Sequence, residues 1–163
     1  MKKLLLIIIM AFADISVQAQ YVEEDFNTLL KKAQAGNIDA MCKVANYYQY
    51  GFSKVSVDEA EAFRWWKKAA EWGNWNAMSE LGIYYYNGEG TTKNVNEAVR
   101  WWLTAGESGE ESDEAEYLLG LCYWNGEGGL QKSYKEAVKW WQKAARHDHP
   151  EAKNALKKLD ETW

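Results

Sequence analysis

EAFRWWKKAAEWGN, residues 61–74, returns as EAVRWWLTAGESGE (97–110) and again as EAVKWWQKAARHDH (136–149). The tryptophan pairs inside these phrases, Trp65-Trp66, Trp101-Trp102 and Trp140-Trp141, lie 36 and 39 residues apart. Self-similarity at a period of about 37 residues marks stacked supersecondary units, not one globular fold around a single site. The functional question therefore concerns the surface that such an array presents.

Each phrase keeps helical spacing. In copy one, Ala62, Phe63, Trp66, Ala69, Ala70 and Gly73 share one arc of a helix, with Trp66 near its centre and Trp65 at its edge, close to Trp72. The inner tryptophans, Trp66, Trp102 and Trp141, are expected to lock each repeat together. The outer ones, Trp65, Trp101 and Trp140, are expected to seal one repeat against the next. A capping-box pattern precedes each arc: Asp58-x-x-Glu61, Asn94-x-x-Glu97 and Ser133-x-x-Glu136. In such a box the cap side chain accepts from the N3 backbone N–H and the glutamate returns to the cap's own N–H. These segments form helix B of each unit.

Helix A precedes helix B and is expected to open with alanine: Ala40-MCKVANYYQY-Gly51, Ala77-MSELGIYYYN-Gly88 and Ala115-EYLLGLCYWN-Gly126. Its core positions are offsets 0, +4, +7 and +8 from that alanine. Gly82 and Gly120 lie inside the helix, where glycine costs about 1 kcal/mol relative to alanine, so a neighbouring helix is expected to approach too closely for a side chain. An Asn-Gly-Glu-Gly loop follows helix A in copies two and three; its first glycine suits a left-handed C-cap and its second a turn. Copy one has only Gly51.

Half units continue the pattern at both ends. Leu29-LKKAQAGNIDA parallels Trp66-KKAAEWGNWNA, so a helix from about Val22 to Ala35 is a B without its A; Ala152-KNALKKLDETW is an A without its B. A solenoid needs such ends, with a polar outer face. The expected organisation is an N-terminal capping helix (20–38), repeats at 39–74, 75–112 and 113–149, and a C-terminal capping helix (150–163). Copy two carries two extra residues in a polar loop after Gly109.

Residues 1–19 have the form of a cleaved export signal: Met1-Lys2-Lys3, an apolar run from Leu4 to Ala13, then Val17-Gln18-Ala19 before Gln20. Ten apolar residues are too short to cross ~30 Å of hydrocarbon, so no membrane span is expected in the mature chain. The Lys-Lys start suggests a bacterial periplasmic or secreted protein. The chain has 19 Lys+Arg against 24 Asp+Glu, a net charge of −5; nucleic acid, which calls for a basic face, is not expected as a partner. Cys42 and Cys122 fall two repeats apart, too far for a disulfide, and are expected as unpaired, mostly buried thiols.

The phrase Ala-x3-Leu-Gly-x2-Tyr-x2-Gly-x-Gly, followed by a capped Ala-x2-Trp-x3-Ala-Ala helix, resembles the Sel-like repeat (SLR) family of tetratricopeptide-like α/α repeats. Copy two carries it through Ala77, Leu81, Gly82, Tyr85, Gly88, Gly90, Asn94, Ala98, Trp101 and Ala105. Copy three carries it through Ala115, Leu119, Gly120, Tyr123, Gly126, Gly128, Ala137, Trp140 and Ala144. Copy one departs at Val44-Ala45 and in its loop. The resemblance spans about Leu29 to Leu159 and implies an all-α, right-handed α/α solenoid of three helix pairs with half-repeat caps. It also implies an adaptor that holds partner proteins. A cysteine-rich secreted branch of the family is linked to penicillin binding, with disulfides inside each repeat; this chain lacks those paired cysteines, so the link does not transfer.

A partner is expected on the helix A face opposite the core, at offsets +2, +6 and +9. Its first row (Cys42, Asn46, Gln49) and last row (Asn154, Lys158, Glu161) are polar. The middle rows, from Ser79 to Tyr86 and from Tyr117 to Trp124, are apolar and aromatic. Either these residues fill the superhelix, or Ile83, Tyr86, Tyr117, Leu121 and Trp124 form an anchor patch for a peptide or partner helix; self-association through such aromatics is also possible. A competing function is glycan or peptidoglycan binding by stacking on Trp65, Trp101 and Trp140, but their register with small residues favours packing. No catalytic constellation and no cofactor are expected. His147-Asp148-His149 lacks the further ligands of a metal site and reads as a polar helix C-terminus.

Overall fold

The computed structural model describes residues 25–107 and 112–160; the expected export segment lies outside them. Among the described residues the chain is all-helical, with eight α-helices: α1 Phe26–Gln34, α2 Ile38–Tyr50, α3 Glu59–Glu71, α4 Trp75–Asn87, α5 Val95–Glu107, α6 Asp113–Asn125, α7 Tyr134–Arg146 and α8 Pro150–Asp160. Each helix packs on its neighbours in sequence, giving an α/α solenoid in the order B, A-B, A-B, A-B, A. The core is a chain of three clusters, the first across α1 to α4, the second between α5 and α6 and the third between α7 and α8.

Offsets 0, +4 and +7 of helix A are buried in every copy: Ala40, Val44, Tyr47; Ala77, Leu81, Tyr84; Ala115, Leu119, Cys122. The inner tryptophans are buried against them, Trp102 at 1% exposure. A Cβ at Gly82 would stand 2.2 Å from Trp102 Nε1, and one at Gly120 would stand 2.2 Å from Trp141 Nε1. The mid-helix glycines are therefore the seats of the two indoles. The outer tryptophans bridge repeats. Trp101 packs on the first cluster and Trp140 on the second, the latter lying over Gly106 of α5.

Three expectations need correction. Helix A opens two residues before its alanine, because Asn37, Asn74 and Ser112 act as N-caps and accept from the backbone N–H of Ala40, Ala77 and Ala115. The first helix starts at Phe26, not near Val22, because Asp25 caps it through Asn27 and Thr28. The capping boxes of helix B are half formed. Asp58, Asn94 and Ser133 accept from the N3 backbone N–H as expected. Their own N–H groups, however, donate to the carbonyls of Tyr48, Tyr85 and Tyr123 (2.9, 2.7 and 2.8 Å) on the preceding helix A. Relieved of that partner, the glutamates pair with Arg64, Arg100 and Lys139 one turn on.

The two ends differ. At α1 the outer face is polar: Thr28 and Lys32 are exposed where α3 carries buried Trp65 and Ala69. At α8, Leu156 is only half-buried, although its equivalents Val44, Leu81 and Leu119 are enclosed. Each of those three has a helix B packed over it.

Candidate functional site

Between α6, α7 and α8 lies an open groove of about 1170 Å³. One wall is the exposed-side row of α6, Tyr117, Leu121 and Trp124; the floor comes from Tyr134, Val138 and Trp141 of α7; Ala155 and Leu159 of α8 close the other side. Trp124 is fixed by ring contacts with Tyr134 (4.4 Å between centroids) and Trp141 (5.4 Å). Trp141 is held in turn by its indole N–H, which donates to the Tyr117 carbonyl at 3.2 Å.

Three of the five residues expected in the anchor patch thus come together in one groove. The other two, Ile83 and Tyr86 on α4, do not line it. They pack against the second cluster, as Tyr117 and Leu121 also do. Tyr86 leans on Trp102 (5.6 Å) with Lys93 Nζ 5.1 Å above its ring. All five are half-buried. Burial, then nearby acidic groups, pushes the Tyr117 phenol upward in pKa. Ser79, on the same expected face, is buried at 4% exposure.

His149 departs from its expected place at a polar helix end. It is 4% exposed and serves as the N-cap of α8: Nδ1 accepts from the Ala152 N–H at 3.2 Å. That assigns the ring proton to Nε2, which faces Glu114 Oε2 of α6 at 3.0 Å. The ring also stacks on Tyr117 (4.7 Å, 25° between planes). The histidine therefore clasps α6 to α8 beneath the groove. Asp148 beside it adopts φ 67, the left-handed turn held by Gly36 and Gly73 in the earlier units, and pairs with Lys153.

The outer tryptophans offer few open faces. Trp65 is buried, and a cation lies over each ring: Lys68 over Trp65, Arg100 over Trp101 and Lys143 over Trp140, at 4.6–4.8 Å. Among the described residues no group of three His, Cys, Asp or Glu is placed to hold a metal, and no helix is long and apolar enough to cross a membrane. Cys42 and Cys122 are free thiols.

Stacked helix pairs, glycine-seated tryptophans and an apolar groove define an α/α repeat protein of the interaction type. The chain belongs to the Sel1 repeat family, whose model matches residues 38–74, 75–110 and 113–149; these repeats mediate protein–protein interaction and are generally non-catalytic. It is 37% identical over 68 residues to the ERAD-associated E3 ubiquitin-protein ligase component HRD3A of Arabidopsis thaliana, a match covering 42% of this chain and 10% of that protein. Among solved structures, a Sel1 repeat protein from Oxalobacter formigenes superposes with a TM-score of 0.64 at 35% identity, over 72% of this chain and 46% of that one. The protective antigen c5321 of uropathogenic Escherichia coli, with an SLR fold, superposes with a TM-score of 0.70 at 30% identity, over 78% and 27%. The chain thus spans a small part of that curated relative and less than half of either structure.

The groove also draws on α7, a helix B, through Tyr134, Lys135, Val138 and Trp141, beyond the helix A face expected to meet a partner. Val138 shares its position with Phe63 and Val99 in the repeat, which are packed over in the inner units.

Proposed function

We propose that this chain is an exported, non-catalytic adaptor of the bacterial envelope that holds a partner protein in the groove around Tyr117, Leu121 and Trp124, with Ile83 and Tyr86 extending the contact. The observation that carries this is the groove itself: about 1170 Å³, walled by aromatic and aliphatic side chains, on a fold built for protein contact. Aromatic anchors in a partly desolvated pocket supply most of the binding energy at such surfaces. Export rests on the sequence of residues 1–19 and the bacterial origin of the two structural relatives.

Cross-linking pull-down from envelope extract tests this, with wild type beside Leu121→Glu and Trp124→Ala, each checked for an unchanged helical spectrum. One protein recovered with wild type and lost with both variants is the expected result. Equal recovery by folded variants would remove the groove from the function, and recovery of the tagged chain in the cytoplasmic fraction alone would remove export.

A further inference from the structure

The inner repeats reveal what fits against the start of each helix B. The glycine turn after α4 lies on α3, where a Cβ at Gly90 would be 2.1 Å from the Glu59 carbonyl oxygen. The turn after α6 lies on α5, where a Cβ at Gly128 would be 2.4 Å from Val99 Cγ2 and 2.9 Å from the Val95 oxygen. Bare backbone is seated there, too close for any side chain. The repeat puts Tyr134, Lys135 and Val138 of α7 in the places of Val95, Asn96 and Val99. These line the groove. The groove thus takes the place that seats backbone in the inner units.

Its charge is directional. α7 and α8 are joined by three residues and run antiparallel, so Lys135 at the start of α7 and Lys158 near the end of α8 lie at one end. Glu151, at the start of α8, lies at the other. Lys132 stands over Tyr134 (5.0 Å) at the lysine end. Residues 130–160 carry eight Lys/Arg against four Asp/Glu, whereas 71–127 carry two against eleven. A basic stretch that holds the groove thus follows a strongly acidic one.

We propose that the groove takes an extended peptide segment of the partner, with one bulky apolar side chain anchored among Leu121, Trp124, Tyr134 and Val138 and acidic residues on the side facing Lys135 and Lys158. This rests on the proposed interaction role of the groove. Extended segments dock through backbone fit plus pockets for alternate side chains, and the lysines select among them by charge. A second copy entering by its α1 end is the poorer fit, since that face presents Thr28, Lys31 and Lys32 to a site already rimmed by lysine.

Fluorescence anisotropy of the purified chain with labelled synthetic peptides tests the proposal. Each peptide is a glycine-serine segment with one Trp anchor, flanked on one side by Asp, by Lys or by neither. The Asp peptide is expected to bind about tenfold more tightly than the neutral one, with the margin shrinking as salt rises. Lys135→Glu with Lys158→Glu, both at exposed positions, should reverse the preference toward the Lys peptide, and Trp124→Ala should abolish all binding. Equal binding of all three peptides, lost in Trp124→Ala, overturns the acidic class while leaving the groove as the interaction site. Asp-peptide binding that ignores every substitution lies elsewhere and overturns both. Absence of peptide binding overturns the extended-peptide class and leaves the pull-down to decide the role of the groove. Self-association of the chain alone, lost in the lysine double variant and not displaced by the Asp peptide, gives the seat to a second copy and overturns the proposal.

Discussion

The Trp102 indole crosses Gly82 so closely that its N–H reaches the Ser79 carbonyl at 3.1 Å, three residues back along α4. Trp141 repeats the relationship across Gly120 to the Tyr117 carbonyl. In copy one the glycine position holds buried Ala45, and Trp66 donates instead to the Gln49 side chain at 3.2 Å. One methyl group therefore changes how the indole is satisfied. Gly82→Ala gains about 1 kcal/mol of helix propensity but overpacks a closed site at a cost of about 1–3 kcal/mol and displaces a buried hydrogen bond of ~1 kcal/mol. A net loss of about 2 kcal/mol is expected in urea unfolding. Ala45→Gly, with no clash to relieve, should lose about 1 kcal/mol. A stabilised Gly82→Ala protein would contradict the close approach.

The half-formed capping boxes separate two roles that a full box would merge. Asp58→Ala, Asn94→Ala and Ser133→Ala each remove the acceptor for an N3 N–H and should cost about 1 kcal/mol. Glu61→Gln, Glu97→Gln and Glu136→Gln disturb only solvent-facing ion pairs, worth about 0.5 kcal/mol or less. Thermal unfolding of the six variants checks this; equal losses in the two sets would restore the reciprocal box.

Glu80 gives a pH dependence. Burial, reinforced by Glu89 and Glu114, holds its carboxyl above the ordinary glutamate range, against the lowering effect of the hydrogen bond from Gln49. The folded state therefore binds this proton more tightly than the unfolded state. The resulting stability is present below the ordinary glutamate value and is lost as pH rises through the folded value. Glu80→Gln should melt higher than the parent at neutral pH, with the gap closing in acid. A gap that widens toward acid would contradict the assignment.

The thiols should be slow. Burial, then Asp39, lifts Cys42 to about 11; burial, then Glu127, lifts Cys122 to about 12. Because the thiolate is the reactive form, alkylation of Cys42 near pH 8 is expected about a hundredfold slower than for a thiol of ordinary pKa, rising tenfold per pH unit. Fast labelling of the folded chain at neutral pH would refute this.

The glycine seats, the inner tryptophans and the helix B caps were legible because each has a local signature repeated in phase. The helix A caps were less legible: Gly36-Asn37 and Gly73-Asn74 stand inside the repeated phrase, but the alanine that marks each copy is the third helical residue, not the first. His149 was misplaced because its role depends on Glu114 and Tyr117, thirty residues away and more, which no local pattern displays. Tyr117, Leu121 and Trp124 could be named from helical offsets alone. Their partners on α7 could not, since the position of Val138 is half-buried at Phe63 and buried at Val99, with no local mark to tell the units apart.

The uneven charge has a consequence at a distance. Eleven acidic residues between 71 and 127, set against a basic stretch at 130–160, give the second half of the array an electric dipole of its own. A charged partner feels a torque before contact, within a screening length of about 10 Å at 0.1 M salt. An acidic partner is steered from the acidic middle toward the α7–α8 end as it diffuses in, so the orientation of encounter is set by charges outside the groove as well as in it, and its association rate should fall with ionic strength.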